Sequence, residues 1–285
     1  MAQEKSSTFS REEKTVLDIQ NLSQTFFPKT PNSVQALQGV SLHIEKESFT
    51  AIIGTNGSGK STLLNAVAGT FLSDQGRILL DGHDITRWPE HRRAFLIGRV
   101  FQNPFAGTAA EMTLAENLAI AMRRGQKRPL STALSKKVRQ EMTEKVASLK
   151  MSLENRLDNP IGTLSGGQRQ ALTLLMATWL RPRLLLLDEH TAALDPKSAA
   201  QVAELTRQII RSERLTALMV THSMQQSVEL PDRIVMMHKG KIVEDYEGER
   251  KGRVRIPDLM AAFDRVRQRE LFDASVAEMV AMQYI

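Results

Sequence analysis

The chain contains no cysteine. Disulfide cross-links and thiolate chemistry, nucleophilic or metal-binding, are therefore excluded, and a reducing compartment such as the cytosol fits. Long apolar runs are also missing. No uninterrupted stretch approaches the ~18 residues needed to cross a bilayer, and Leu184–Leu187 reads instead as a strand buried on both faces. Residues 1–14 are polar and carry no apolar signal core, so they are expected to form a disordered tail and not a secretion signal. No internal repeat is present, and each motif below occurs once.

What remains is ordinary globular material: 41% hydrophobic and 25% charged residues over 285 positions, enough for one large domain or two modest ones. The net charge of +6 leaves nucleic acid, an anionic membrane surface or an anionic ligand open as partners. Much of the excess sits between 123 and 140, where Arg123, Arg124, Lys127, Arg128, Lys136, Lys137 and Arg139 occur without an acid. A solvated helix-loop face accounts for this run, as does proximity to phospholipid head groups or an acidic partner. No aromatic residue interleaves with it, so stacking on nucleic-acid bases is not expected.

Short apolar runs alternate with longer helical patterns. Phe49–Ile53, Arg77–Leu80, Ile97–Phe101, Leu184–Asp188 and Ala217–Thr221 read as strands, and Arg233–His238 with Lys241–Asp245 as a hairpin turning at Lys239-Gly240. Helices are predicted for Ser61–Thr70, from the capping box at Thr113 to Arg124, for Lys136–Lys150, and from Pro257 onward through Leu259, Met260, Phe263, Val266 and Val276. The pattern is α/β, with a mostly parallel sheet and a helical segment over about 104–163 inserted into it.

Residues 54–62 read Gly-Thr-Asn-Gly-Ser-Gly-Lys-Ser-Thr. This is G-x-x-x-x-G-K-[ST] after a strand and before a helix, the context a phosphate loop requires. Gly54, Asn56, Gly57, Ser58 and Gly59 turn backbone N–H groups toward phosphate oxygens, and the helix N-terminus adds a favourable field. Lys60 reaches the β- and γ-phosphates, while Ser61, followed by Thr62, can ligate Mg²⁺. No Asn-Lys-x-Asp guanine reader is present, so the expected nucleotide is ATP. Arg183–Glu189 is a buried strand ending in two acids: Asp188 to hold Mg²⁺, Glu189 to polarise the attacking water. Leu164-Ser-Gly-Gly-Gln-Arg-Gln170 opens another helix with a cap and free N–H groups, a second anion site whose use is explained if it closes over nucleotide held by another copy.

With these segments in order, residues 16–248 resemble the ATP-binding cassette (ABC) family. The resemblance implies a P-loop NTPase core with an antiparallel β subdomain and an inserted α-helical subdomain. The expected units are the tail at 1–14, the ATPase at 15–248, and a helical extension at 249–285. It implies that Gln102 contacts Mg²⁺ or the water and reports nucleotide state, that His222 is the switch histidine near the γ-phosphate, that Asp195 crosses a dimer interface, and that Phe26 stacks on adenine, with adjacent Phe27 as the competing choice. It assigns Ser165, Gly166, Gly167 and Gln168 to nucleotide bound by the opposite copy. His190 departs from the proline common at its position; a catalytic role, a cap and a packing role all stay open. With residues 154–157 and 176–178, it resembles a subgroup labelled tryptophan/tyrosine-type importers. The implied protein is an ATPase on the cytoplasmic face of the membrane, peripheral, working as a homodimer with permease subunits and a substrate-binding protein, and not with nucleic acid. An exporter or lipid-extracting ATPase, and a nucleotide-binding scaffold without turnover, are the alternatives.

Overall fold

A computed structural model describes residues 14–125 and 135–268. Residues 1–13 of the proposed tail, Lys127, Arg128 and Val276 lie outside them. Two sheets form the frame. The first is antiparallel, in the order β2-β1-β4-β5: β1 (Thr15–Phe26), β2 (Val34–Glu45), β4 (Gln75–Leu80) and β5 (His83–Asp84). The second has the order β10-β9-β3-β8-β7-β6: β3 (Phe49–Gly54), β6 (Ile97–Val100), β7 (Leu184–Asp188), β8 (Ala217–Val220), β9 (Arg233–His238) and β10 (Lys241–Tyr246). Its inner pairings are parallel, and only β10 runs antiparallel, at the edge.

The parallel strands are covered on both faces, and their sequences show it. Every residue of β3 is buried, as are Leu184–Leu187. Strand periodicity then sorts them. Phe49, Ala51, Leu185, Leu187, Ala217 and Met219 pack under the helices, while Ile52, Leu184, Leu186, Leu218 and Val220 face the antiparallel sheet. The β9–β10 hairpin turns at Lys239-Gly240, both with positive φ, which matches strand twist in a two-residue loop.

The helices are α1 (Lys60–Ala68), α2 (Glu90–Arg93), α3 (Leu114–Met122), α4 (Lys136–Ala147), α5 (Gly166–Thr178), α6 (Pro196–Ser212), α7 (Met224–Glu229), α8 (Gly248–Arg253) and α9, 256–268. Their starts follow from local chemistry. Thr113 Oγ1 accepts from Glu116 N at 3.2 Å while Glu116 Oε2 accepts from Thr113 N at 2.8 Å, the predicted reciprocal cap. Asp195 Oδ1 accepts from Ser198 N at 3.1 Å, with Pro196 next in line. Several ends fall short of expectation. α4 stops at Ala147, and Lys150 three residues on is in the left-handed region; α1 stops at Ala68 before Gly69 in the same region. α3 and α4 bury Leu114, Leu118, Met142 and Val146 against Leu149, Leu153 and Ile161, which forms the inserted helical layer.

Arg93 braces α1. Its side chain is buried and donates to Ala66 O at 2.7 Å, Val67 O, Thr86 O and Trp88 O at 2.9 Å each, so it satisfies the orphan carbonyls at the end of α1. α9 lays Leu259 and Ala262 on Ile53, Ile234, Met236 and Tyr246, although Met260, expected on that face, is exposed. Among the described residues, no helix is long and apolar enough to cross a membrane.

Candidate functional site

The phosphate loop joins the C-terminal end of β3 to α1, where open α/β sheets present their ligand crevices. Gly59 illustrates why the loop is glycine-rich. Its φ is +98°, and a Cβ there would lie 2.4 Å from Ala36 O. The loop opens into a cavity of about 370 Å³ lined by Phe26, Val34, Ala36, residues 56–62, Glu189 and His222. Ten of the predicted site residues are thereby brought together: Phe26, Asn56, Gly57, Ser58, Gly59, Lys60, Ser61, Thr62, Glu189 and His222.

Lys60 lies over the loop, donating to Gly54 O and Thr55 O at 2.9 Å each. Burial pulls its ammonium below the usual lysine range, and the facing Glu189 and Asp188 carboxylates push it back. Glu189 shares the cavity with the phosphate loop, and Asp188 precedes it at the end of β7. Glu189 follows β7 with φ +45°, uncommon for a non-glycine residue, and its N–H donates to Val220 O at 2.9 Å. That bend aims the carboxylate at the cavity. Glu189 Oε1 and His222 Nε2 meet at 2.6 Å, a carboxylate and an imidazole coupled on the wall of the cavity.

The Asp188 carboxylate is held by Arg99, Nη2 to Oδ2 at 3.3 Å. The same Nη2 donates to Asn65 Oδ1 at 2.5 Å. Asn65 lies one turn beyond Ser61 on α1, so Arg99 ties the Ser61 face of that helix to Asp188 at the end of β7. A hydroxyl and a carboxylate are hard oxygen donors, and among the described residues no group of three His, Cys, Asp or Glu could hold a metal ion. This sparse set fits Mg²⁺, which takes one or two carboxylates and completes its shell with phosphate oxygens and water.

Phe26 lines the cavity and meets Phe71 edge-on, with centroids 5.4 Å apart. Phe27 is 68% exposed, outside the cavity. Gln102 is exposed on the bend after β6 and does not line the cavity; the carbonyl before it, Phe101 O, accepts from Gln170 Nε2 at 3.0 Å. The segment Leu164–Gln170, expected to form a second anion site, is separate. Ser165 Oγ accepts from Gln168 N at 3.3 Å, and Gln168 Oε1 accepts from Ser165 N at 3.2 Å. Ser165 and Gly166 are exposed at the start of α5, but Gly167 is buried, and a Cβ on it would sit 2.9 Å from Ser198. Asp195 is engaged in capping α6, and hydrogen bonds from the Ser198 hydroxyl and then its backbone N–H hold the carboxyl below the ordinary range. Neither set lines the cavity.

His190 is 1% exposed and away from the cavity, so among its open roles packing is the one it performs. Thr206 Oγ1 donates to Val202 O at 2.8 Å, which leaves it to accept from His190 Nε2 at 2.9 Å. Burial pushes the imidazole down to about 4. Arg99 and Asn65 were not foreseen. The available signal was a lone charge in the short buried strand Ile97-Gly-Arg-Val100, three residues before Gln102.

Residues 37–192 match the family described as ABC transporter. The chain is 40% identical over 252 residues to the tyrosine transport ATP-binding protein of Clostridioides difficile (strain R20291), covering 87% of this chain and 99% of that protein. It is 36% identical over 229 residues to the sulfate/thiosulfate import ATP-binding protein CysA of Methylococcus capsulatus, covering 79% of this chain and 61% of that protein. Among solved structures, a dimeric, post-hydrolysis ATP-binding cassette bound to ADP and Pi shares the fold, with TM-score 0.70, 24% identity, and coverage of 81% of this chain and 98% of that one.

Proposed function

The chain belongs to the ABC transporter family and is an ATPase of that family, and from this premise we propose that it powers a separate membrane permease importing a small molecule of amino-acid type. The observation that carries the reading is the convergence of the phosphate loop, Lys60, and the Glu189–His222 pair on one cavity. Lys60 and the loop N–H groups hold the phosphates. Ser61 and Asp188 would hold Mg²⁺, which supplies charge neutralisation on the β- and γ-phosphates. Glu189 accepts the proton of the attacking water, with His222 fixing its carboxylate.

The exposed Ser165 and Gly166 at the start of α5 are the donors offered to nucleotide on a second copy, which makes the working unit a homodimer with two shared sites. The solved neighbour's dimeric form supports this. ATP then acts by differential contact: it bridges two chains while intact and ceases to when cleaved. We read 15–248 as the ATPase unit, with the inserted layer and Gln102 passing the motion on. A second cavity of about 840 Å³, lined by Phe101, Gly107, Ile120 and Arg123 among others, suits a permease segment, and Ile120 in it is 56% exposed. The chain would sit peripherally on the cytoplasmic face, with a substrate-binding protein delivering cargo. Amino-acid cargo rests on the tyrosine transport relative and on the subgroup resemblance.

A mixing experiment tests the two-chain site. Gly167 is unsuitable for it, since an added side chain presses on Ser198 of its own chain. Gly166→Asp meets only Leu194 Cδ2 at 3.3 Å, and an acid in the first turn suits the isolated helix while repelling a γ-phosphate. Lys60→Ala and Gly166→Asp should each be inactive as pure dimers. Mixed, they should regain phosphate release, because the heterodimer contains one intact loop facing one intact signature segment. Failure of the mixture to recover, with heterodimers confirmed by sequential capture on two different affinity tags, would overturn contact between chains. For cargo, vesicles holding the ATPase with its permease and binding protein should hydrolyse ATP faster with aromatic amino acids than with sulfate.

A further inference from the structure

Arg99 has four partners that belong to three segments. Its Nη2 contacts Asp188 Oδ2 at 3.3 Å and Asn65 Oδ1 at 2.5 Å; its Nη1 donates to Thr70 Oγ1 at 3.2 Å; and its guanidinium lies 4.6 Å from the centroid of the Phe101 ring. Phe101 is the residue before Gln102, and its carbonyl is held by Gln170 of α5, two residues beyond the signature Gln168. One guanidinium therefore connects the acid at the end of β7 to the helix of the phosphate loop, the glutamine segment and, through Phe101, the signature helix.

We propose that Arg99 is a positioning residue that competes with the metal ion for Asp188 and reports the exchange to the segment around Gln102. This rests on the reading of Asp188 as a metal-holding residue. The contact with Asp188 is the longest of the two made by Nη2, so it is the one most readily given up. When a divalent cation takes the carboxylate, Arg99 stays anchored to Asn65 and loses its anion. A cation relieved of an ion pair interacts more strongly with an aromatic face, and that face belongs to Phe101. Both side chains of the pair are largely shielded, at 14% and 16% exposure, so the competition is screened less than on the open surface.

The test separates metal affinity from nucleotide affinity. Mn²⁺ is titrated into the full chain with a non-hydrolysable ATP analogue, and free Mn²⁺ is read by electron paramagnetic resonance. Arg99→Gln and Arg99→Met remove the competing charge, and each should bind Mn²⁺ about five-fold more tightly than the wild type, the scale of a partly shielded ion pair. Arg99→Lys keeps the charge and should remain near wild type. Affinity for the analogue in EDTA should be the same in all four proteins. Hydrogen exchange supplies the second readout: adding Mn²⁺ to the analogue complex should alter exchange over 101–105 in the wild type, and not in Arg99→Gln. Unchanged or weaker Mn²⁺ binding in both neutral variants, with analogue binding intact, would overturn the competition. The same metal-induced exchange change in Arg99→Gln as in the wild type would overturn the reporting role. Loss of metal dependence in the wild type itself would instead strike the assignment of Asp188.

Discussion

His190→Gln should make the protein less sensitive to mild acid. The wild-type imidazole is fully enclosed and donates through Nε2 to Thr206, and burial holds it at about 4, against 6.5 for a solvated histidine. A folded-state value below the unfolded one means that the unfolded chain takes up the proton first. The stabilisation is therefore present above pH 6.5 and is lost as pH falls from there toward 4. The separation of about 2.5 in pKa, at 1.36 kcal/mol for each, gives about 3 kcal/mol lost once both states are protonated. At pH 5, where the unfolded histidine is nearly all charged and the folded one nearly all neutral, the loss is about 2 kcal/mol. Glutamine keeps a donor for Thr206 and cannot titrate. Urea unfolding of both proteins at pH 7.5 and pH 5 measures the difference directly, because every other titrating group is common to the pair. The wild type should lose about 2 kcal/mol more than the variant over this interval. Parallel losses would refute the reasoning and mean that His190 reaches solvent or gains an acid partner.

Phe26→Ala should weaken ATP binding roughly ten-fold in calorimetric titration, the scale of one base-aromatic stack, whereas Phe27→Ala should leave it unchanged because that ring stands outside the cavity. Arg93→Ala strips four carbonyls of a buried partner and leaves a void behind α1; it should cost about 3 kcal/mol or more in urea unfolding, and a loss below about 1 kcal/mol would show that water replaces the guanidinium.

The phosphate site was legible because its physics is local. A buried strand, a glycine-rich turn and a helix start suffice to aim N–H groups at one point, and all three are contiguous in 49–68. The parallel core was legible in Leu184–Leu187, where the lack of alternation requires cover on both faces. Helix starts at Thr113, Ser165 and Asp195 followed from side chains that bond three residues ahead. What sequence could not give was pairing across the fold. Arg99 and Asp188 are 89 residues apart, joined only by the β6–β7 pairing. The partner of His190 is set by how α6 lies on β7, and the contact of Gly167 with Ser198 by how α5 meets α6. The choice between Phe26 and Phe27 turned on which of two neighbours faces inward, and positive φ at Phe27 breaks the strand alternation there. Helix ends were misjudged where single residues such as Lys150 adopt the left-handed region without being glycine.

The measurement that bears most directly on the account is phosphate release by Glu189→Gln, read beside its oligomeric state. Glutamine preserves the shape of the side chain at the end of β7 and removes the base. Hydrolysis should fall by at least ~10²-fold, ATP binding should persist, and light scattering with Mg·ATP should show dimers accumulating because the bridging γ-phosphate is not cleaved. Near-normal phosphate release from this variant would contradict the role of Glu189, and a monomer with ATP bound and uncleaved would contradict the shared site.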